Sequence, residues 1–278
     1  MTTNGALAGK TILISGGSRG IGLAIAVRAA KEGANIAVIA KTDIPDPRLP
    51  GTIHSASAEI EAAGAQVMPI VGDIRDWNIV EGAVARTVEE FGSLDIVVNN
   101  ASAIDLRGVG ELAPKRFNLL LDVNVSGTYQ LIAAALPHLR RSAAGAHVMT
   151  LSPPLSQDRR WLSEHAPYTL TKFGMTMLTL GLAQQHRDLA AYCLWPQTLI
   201  ATAAVQNIVA GDDGMRTARI PAIMADAAYL LLTGEPTAIT GRCHIDADVL
   251  RAAGCDDLTA YAAVPGTPDA DLTPDLFI

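Results

Sequence analysis

The sequence predicts a doubly wound α/β fold, a three-layer sandwich in which helices cover both faces of a seven-stranded parallel sheet. Short apolar runs alternate with longer stretches of helical apolar rhythm, which is the pattern of repeated βαβ units. A glycine-rich turn at residues 15–22 directly follows the first apolar run and opens the first helical stretch. Of the 278 residues, 49% are hydrophobic, which is enough to bury a sizeable core between such layers.

Seven apolar runs are predicted strands, because each is short, rich in aliphatic residues and bounded by loop-forming residues. In chain order they cover 11–15, 35–40, 66–71, 94–100, 146–152, 190–195 and 241–246. The stretches between them carry apolar residues at helical spacing, and Gly33 is a natural stop for the first helix. The predicted helices cover 21–33, 57–63, 77–91, 116–140, 168–185 and 222–232.

Two proline-rich segments interrupt this alternation. Residues 41–52 hold three prolines and are predicted to form a loop. Residues 258–278 form a tail with three prolines and an apolar end. This tail either frays, or its residues 276–278 dock on a neighbouring subunit or near the mouth of the site. No linker divides the chain, so we expect a single domain over 1–278 with its core at about 8–247.

Composition argues against several classes of function. The net charge of −7 and the lack of any basic run argue against a nucleic-acid surface. The three cysteines are far apart, and the six histidines show no ligand spacing, so we expect neither disulfides nor a metal site. No apolar run reaches the roughly 18 residues of a membrane span, and the first residues lack a signal core. We therefore expect a cytoplasmic protein without a membrane partner.

The turn at residues 15–22 suits a dinucleotide phosphate. Gly16 permits the tight turn, while Gly20 and Gly22 let the pyrophosphate and the neighbouring strand approach the backbone. The helix N-terminus adds free N–H groups and a partial positive charge. The residues predicted to contact the cofactor here are Gly16, Ser18, Arg19, Gly20, Ile21 and Gly22.

The end of the second strand indicates which dinucleotide is bound. An NAD site wants an acidic residue there for the ribose hydroxyls, but this chain has Ala40 followed by Lys41. The nearest acid, Asp43, lies further into the loop. Arg19 in the glycine turn supplies a second cation, and the fork of an arginine matches phosphate geometry. Arg19 and Lys41 therefore predict NADP.

The chain resembles the short-chain dehydrogenase/reductase family over roughly residues 8–247. Its motifs occur in the family's order: the glycine turn at 15–22, Asp73, the NNAS stretch at 99–102, Asn124, and the pair Tyr168 and Lys172. The stretches "NNASAI", "SPP" and "LWPQTLIATAA" are most similar to the hydroxysteroid-dehydrogenase-like branch. The resemblance implies a Rossmann fold and an NADP-dependent oxidoreductase for a small-molecule carbonyl or alcohol, including lipid-like ones.

The resemblance also implies further contacts and an assembly. Asp73 would bind the adenine edge, and Asn124 would hold a water that connects Lys172 to solvent. The remaining expected cofactor contacts are Ile74, Asn100, Ala101, Ser102, Pro196, Thr198, Tyr168 and Lys172. Gln197 stands where the family commonly has glycine, and residues 199–219 would form a mobile lid with a flexible tip at 210–215. Relatives commonly pair through helices such as those predicted here, so a homodimer or homotetramer is expected.

Tyr168 and Lys172 have the spacing of a proton relay. On a helix, residues four apart lie on one face. A nearby ammonium favours the phenolate, and we expect it to lower the pKa of Tyr168 by roughly 1–3 units. Tyr168 could then act as acid and base in the interconversion of a carbonyl and an alcohol.

One position departs from the family pattern. The catalytic serine of the family falls where this chain has Pro153, and counting back from Tyr168 gives Leu155; neither side chain donates a hydrogen bond. Three alternatives follow: Ser152 serves from one position earlier, Ser156 swings in from the loop, or no serine serves. The last makes a catalytically weak NADP-binding sensor or scaffold a second hypothesis. A lyase or epimerase on the same fold is a third.

Overall fold

Seven parallel strands form one sheet in the computed structural model, which describes residues 5–46, 50–143 and 145–278. Their spatial order is β3-β2-β1-β4-β5-β6-β7, so the chain winds outward from the β1/β4 junction in both directions. The strands are β1 Thr11–Ser15, β2 Asn35–Ala40, β3 Val67–Val71, β4 Ile96–Asn99, β5 Ala146–Leu151, β6 Leu189–Trp195 and β7 Cys243–Ile245. The predicted doubly wound fold with seven strands is confirmed.

Helices follow the strands along the chain. Within the described residues the α-helices are α1 Gly20–Lys31, α2 Ile53–Ala62, α3 Trp77–Phe91, α4 Pro114–Leu120, α5 Gly127–Leu139, α6 Arg159–Ser163, α7 Ala166–Gln185, α8 Gly211–Arg216, α9 Ala222–Thr233, α10 Pro236–Ile239 and α11 Asp246–Ala252. Two π-helical turns, Leu121–Ser126 and Val205–Val209, precede α5 and α8.

The sheet is buried on both faces, which is why its strands are continuous apolar runs. Successive side chains of a strand point to opposite faces. Ile12 and Ile14 accordingly pack in the cluster that contains residues of α1, α2 and α9. Leu13 packs in the opposite cluster, with residues of α3, α5 and α7. All three β1 side chains are fully buried.

Two predicted helices differ from the observed ones: one in its first residue, and the other in its continuity. α2 begins at Ile53 rather than at 57, because Thr52 and Ser55 form a reciprocal capping box with bonds of 2.8 and 3.1 Å. The predicted helix at 116–140 is interrupted by a π-helical turn. The loop predicted at 41–52 is irregular where it is described; its residues 47–49 lie outside the described residues.

Two segments predicted as loops contain helices. The loop that follows β5 holds α6, whose first turn is capped by the Asp158 side chain through the Arg160 backbone N–H at 2.9 Å. The predicted flexible tip at 210–215 is largely α8, which packs beside the second π-helical turn. Both corrections concern single turns of helix, which are too short to show apolar periodicity.

One helical run in the described chain, Pro114–Leu139, is long and apolar enough to span a membrane. Its C-terminal half, α5, packs against the sheet instead. Leu131, Ala135 and Leu139 are buried there in the core on the α3 side. In this fold the run therefore covers a face of the sheet.

The C-terminal tail does not fray. The Ala263 N–H donates to the Ala218 carbonyl, and the Thr273 N–H donates to the Thr217 carbonyl, both at 2.9 Å. The tail then crosses the end of β6 and buries Phe277, which is 5% exposed. Of the alternatives given above for this tail, the structure has the one in which residues 276–278 lie beside the site.

Candidate active site

Tyr168 and Lys172 lie together on α7, as their spacing predicts. α7 carries Pro167 in its first turn, where a missing N–H costs no helical hydrogen bond. Each of the two residues is only 3% exposed. The Lys172 Nζ donates to the Leu151 carbonyl at 2.8 Å and lies 5.0 Å from the centre of the Trp195 ring. Lys172 is thereby held at the C-terminal end of β5.

The expected lowering of the Tyr168 pKa is wrong for this structure. Burial raises the pKa of Tyr168 above its ordinary value of 10.0, and the negative charge of Asp275 raises it further. Burial also lowers the pKa of Lys172 to about 8, an effect that Asp275 partly offsets. The ammonium bonds the Leu151 carbonyl, so it does not counteract the loss of solvent around the phenol. Tyr168 is therefore held here as the protonated acid.

Hydrogen bonds connect Ser102, the serine near Tyr168, to the first π-helical turn. The Ser102 side chain lies close enough to Tyr168 to lower its pKa slightly against the effect of burial, and it donates to Asn124 Oδ1 at 3.2 Å. The Asn124 amide donates to Thr171 Oγ1 at 2.9 Å and to the Ala103 carbonyl at 3.0 Å. Asn124 is fully buried, and π-helical turns of this kind are frequent at functional sites. The predicted Asn124 therefore ties α7 to the NNAS stretch.

Ser152 does not face Tyr168. Its Oγ donates to the Lys172 backbone carbonyl at 2.6 Å and pairs with Thr176 Oγ1 at 2.6 Å. Ser156 Oγ accepts from the Asp158 backbone N–H at 3.1 Å. Both hydroxyls therefore bond neighbouring groups of the protein in this structure, and Ser152 as the catalytic hydroxyl stays a prediction. A further serine near Tyr168 is Ser102, which the sequence analysis assigned only to the cofactor.

The glycine turn leaves room that larger residues would fill. Gly16 and Gly20 have φ of 71° and 57°, a region that favours glycine. A Cβ on Gly16 would lie 2.9 Å from the Ala101 Cα, and one on Gly22 would lie 2.5 Å from Asn100 Nδ2. The N-terminus of α1 has no side-chain cap, so its first N–H groups suit a phosphate. The turn therefore fits a dinucleotide.

Ser15 fastens the NNAS stretch to this turn, a role that the sequence analysis missed. Its Oγ accepts from the N–H groups of Asn100 and Ala101, both at 3.1 Å. Asn100 Nδ2 donates to the carbonyls of Ser15 at 3.0 Å and Gly16 at 2.9 Å. A hydroxyl residue at the very end of a buried strand is the signal that could have revealed it. The Asn100 amide thus positions the turn.

The two predicted cations lie near the ends of β1 and β2. Arg19 donates from Nε to the Pro50 carbonyl at 3.0 Å and from Nη2 to the Gly51 carbonyl at 2.6 Å. These bonds orient the guanidinium beside the glycine turn. Lys41 is exposed at the end of β2, while Ser18 in the turn is 4% exposed.

Asp73 lies just beyond β3 and is held by its neighbour. Arg75 bonds the carboxylate through Nε and Nη2, at 2.6 to 3.0 Å. This hydrogen bonding holds the pKa of Asp73 below its ordinary value, against the effect of burial. Ile74 is 8% exposed and packs against Gly127, so its side chain belongs to the core.

The segment after β6 is held from two sides. The Gln197 N–H donates to Asp246 Oδ1 at 2.8 Å, and burial raises the pKa of that carboxyl to about 6. Thr198 forms an antiparallel bridge with Pro274 of the tail. Pro196 and Thr198 are both buried. The sequence analysis missed Asp246 and Pro274, because contacts between distant segments have no local pattern.

These features define a class of protein: an α/β oxidoreductase with a dinucleotide turn and a buried tyrosine at the carboxyl edge of a parallel sheet. The family model described as short chain dehydrogenase matches residues 10–211. The chain belongs to the short-chain dehydrogenase family.

Individual relatives agree with this assignment. The chain is 45% identical to hydroxysteroid dehydrogenase-like protein 2 of Danio rerio, over the whole chain and 66% of that protein, so it spans just under two thirds of the relative's length. It is 49% identical to a short chain dehydrogenase of Mycobacterium thermoresistibile, with a TM-score of 0.90 and coverage of 98% and 96%. Carveol dehydrogenase of Mycobacterium avium, solved with NAD, shares the fold at 23% identity, a TM-score of 0.74 and coverage of 87% and 97%.

Proposed function

We propose that the protein is an NADP(H)-dependent oxidoreductase that interconverts a carbonyl and a secondary alcohol, with lipid-like compounds among its substrates. The observation that carries this proposal is the burial of Tyr168 and Lys172 side by side on α7 at the carboxyl edge of the sheet, with Ser102 near the phenol. A protonated phenol and a serine hydroxyl in one place can both bond a single carbonyl oxygen. Asn124 and Lys172 hold the two elements that carry them.

The residues of this chain divide the work of carbonyl reduction. Tyr168 is protonated at neutral pH and donates its proton to the developing alkoxide, which is the stronger base; the raised pKa makes the phenol a weaker acid than an ordinary tyrosine. Ser102 polarises the same oxygen in place of the family's serine, whose position is taken by Pro153. Lys172, with its lowered pKa, can supply the proton that restores the Tyr168 phenol.

The residues around the glycine turn fit a nicotinamide dinucleotide, which supplies or accepts the hydride when bound. Those that would hold it are Gly16, Ser18, Arg19, Gly20, Ile21, Gly22, Lys41, Asp73, Ile74, Asn100, Ala101, Ser102, Tyr168, Lys172, Pro196 and Thr198. Arg19 and Lys41, with no acid at the end of β2, support NADP over NAD. The ratio of kcat/KM for NADPH and NADH tests this choice, and a ratio of one or less would contradict it.

Replacement of the tyrosine tests the reaction itself. Tyr168→Phe removes the proton donor and keeps the ring, so turnover should fall by roughly 100- to 10,000-fold while NADPH binding is retained. Tyr129→Phe is the matched control, because Tyr129 is 57% exposed on α5. Turnover by Tyr168→Phe at the rate of the unaltered protein would exclude Tyr168 as the acid.

A second candidate is an NADP-binding sensor or scaffold that turns over weakly. Two observations favour it: Pro153 occupies the family's serine position, and Tyr168 is 3% exposed. Binding of NADPH without its oxidation, across a broad panel of ketones and aldehydes, would favour this candidate over the oxidoreductase. Steady oxidation of NADPH with any member of the panel would exclude it.

A homodimer or homotetramer is the assembly that we propose. Apolar side chains project from two helices that share one side of the sheet: Tyr129 on α5, and Leu170 and Met177 on α7, each more than half exposed. A partner chain would cover them. Light scattering coupled to size exclusion should give a multiple of 29.1 kDa, and Met177→Glu should shift it towards that monomer mass.

A further inference from the structure

The last residues of the tail form a strap, residues 273–277, across the segment that follows β6. The Leu199 N–H donates to the Thr273 carbonyl at 2.9 Å, and the Asp275 N–H donates to the Gln197 carbonyl at 3.1 Å. The indole N–H of Trp195 donates to the Leu276 carbonyl at 2.8 Å. The strap therefore lies along residues 195–199. This segment contains Gln197, the residue that stands where the family commonly has glycine.

The ring of Phe277 fills an aromatic cage beside the proposed acid. Its ring lies 6.3 Å from that of Tyr168, in a stacked arrangement with an interplanar angle of 30°. The other ring centres lie 5.4 Å away in Trp161, 5.5 Å in Phe173 and 5.9 Å in Trp195. With this ring in place Tyr168 is 3% exposed. A substrate must come within hydrogen-bond reach of the phenol, and the docked ring covers the face of Tyr168 against which the hydrocarbon part of a substrate would lie.

The strap is held in a way that permits release. Phe277 has a φ of 73°, and among the described residues it alone reaches the left-handed region without being glycine. The pKa of Asp275 is raised to about 8 by burial, so the docked strap disfavours its charged form. The left-handed backbone of Phe277 and the buried carboxyl of Asp275 each cost free energy in the docked strap. Release of the strap would remove both costs.

We propose that Phe277 occupies the place of the substrate, and that an apolar ketone or alcohol with a ring-sized hydrocarbon part displaces the strap to reach Tyr168. This inference rests on the proposed function. The walls of the cage are aromatic, and Leu112 and Leu120 belong to the same cluster. The aromatic cage therefore accepts an apolar ring. Tyr168 and Ser102 would bond the carbonyl or hydroxyl oxygen of the same substrate.

Calorimetric titration with trans-1-decalone, a saturated bicyclic ketone, tests this directly. NADP is present, so that the bound ketone is not reduced. Phe277→Ala removes the ring that competes with the ketone for the cage. The ketone should therefore bind this variant at least about 10-fold more tightly than the unaltered protein. Ile278→Ala, which changes an exposed neighbour outside the cage, should leave the affinity unchanged.

Equal or weaker binding by Phe277→Ala would show that Phe277 is a fixed wall, and would overturn the proposal. Absence of ketone binding in that variant would overturn the substrate class. Phe277→Leu keeps apolar volume and should give an intermediate affinity, and thermal unfolding followed by circular dichroism verifies that each variant folds. The titration measures binding and no turnover, so its result would hold even if the proposed oxidoreductase activity failed. Conversely, turnover without tighter ketone binding by Phe277→Ala would overturn only the strap proposal.

Discussion

Replacing Asp275 by asparagine should remove a pH dependence from the docking of the strap. Asp275 is partly buried, and burial raises the pKa of its carboxyl to about 8. The docked strap thus prefers the protonated acid, whereas an undocked strap ionises near the ordinary value of 3.8. Docking is therefore fully favourable below about pH 4 and weakens as the pH rises towards about 8.

The size of this effect matches that of the docking contacts. One pKa unit is worth about 1.4 kcal/mol, so the rise from 3.8 to about 8 opposes docking by on the order of 5 kcal/mol at the upper end of this range. Burial of the Phe277 ring contributes roughly 2–3 kcal/mol. The three hydrogen bonds that join the strap to residues 195–199 contribute about 1 kcal/mol each. We therefore expect a docked strap at about pH 5 and a marginal one at about pH 7 to 8.

Tryptophan emission reports this opening, because Trp161 and Trp195 both contact Phe277. The emission of the unaltered protein should change between about pH 5 and 8, and that of Asp275→Asn should change much less over the same range. Asp246, with a raised pKa, and Lys172, with a lowered one, face Asp275 and remain in both proteins, so they are controlled for. The same pH course in both proteins, or none in either, would refute the reasoning.

Other variants separate the roles of individual residues. Ser102→Ala should lower kcat by about 100-fold, as for a lost oxyanion donor. Ser152→Ala should leave kcat unchanged and lower the free energy of unfolding by about 1–3 kcal/mol, since its bonds are buried; urea titration measures this. Arg19→Ala should raise the KM for NADPH about 10-fold and leave that for NADH unchanged. Gly22→Ala should abolish NADPH binding in calorimetry, because its Cβ would meet Asn100 Nδ2 at 2.5 Å.

The sheet could be predicted well because strands buried on both faces are continuous apolar runs, which the local sequence shows directly. The strands at 11–15 and 35–40 were predicted with the observed bounds. The helix at 77–91 was as well, since the Asp76 side chain caps its start and Gly92, with a φ of 81°, ends it. The start of α2 was missed because its capping box lies before the apolar rhythm begins.

The candidate site was predictable only where its parts are neighbours in the chain. The glycine turn and the Tyr168–Lys172 pair follow from strand, turn and helix geometry alone. The raised pKa of Tyr168 does not, because it depends on burial and on Asp275, a residue of the distant tail. Ser102 was assigned to the cofactor for the same reason: its place near Tyr168 exists only once the loop after β4 and α7 come together.

The chain departs from the family pattern at Pro153 and at Gln197. The first change removes a side-chain hydrogen-bonding group, and the second adds one. Pro153 removes a hydroxyl, and Ser102, just beyond β4, is the serine that we propose supplies one. Gln197 adds a side chain where a glycine is usual, and its Oε1 accepts from Arg219 Nη1 at 3.3 Å. Arg219, 1% exposed, pairs with Asp269 of the tail at 2.9 Å. The glutamine therefore belongs to the contacts that hold the tail just before the strap: a chain with glycine at 197 would lack this bond, and Gln197→Gly should weaken the attachment of the tail.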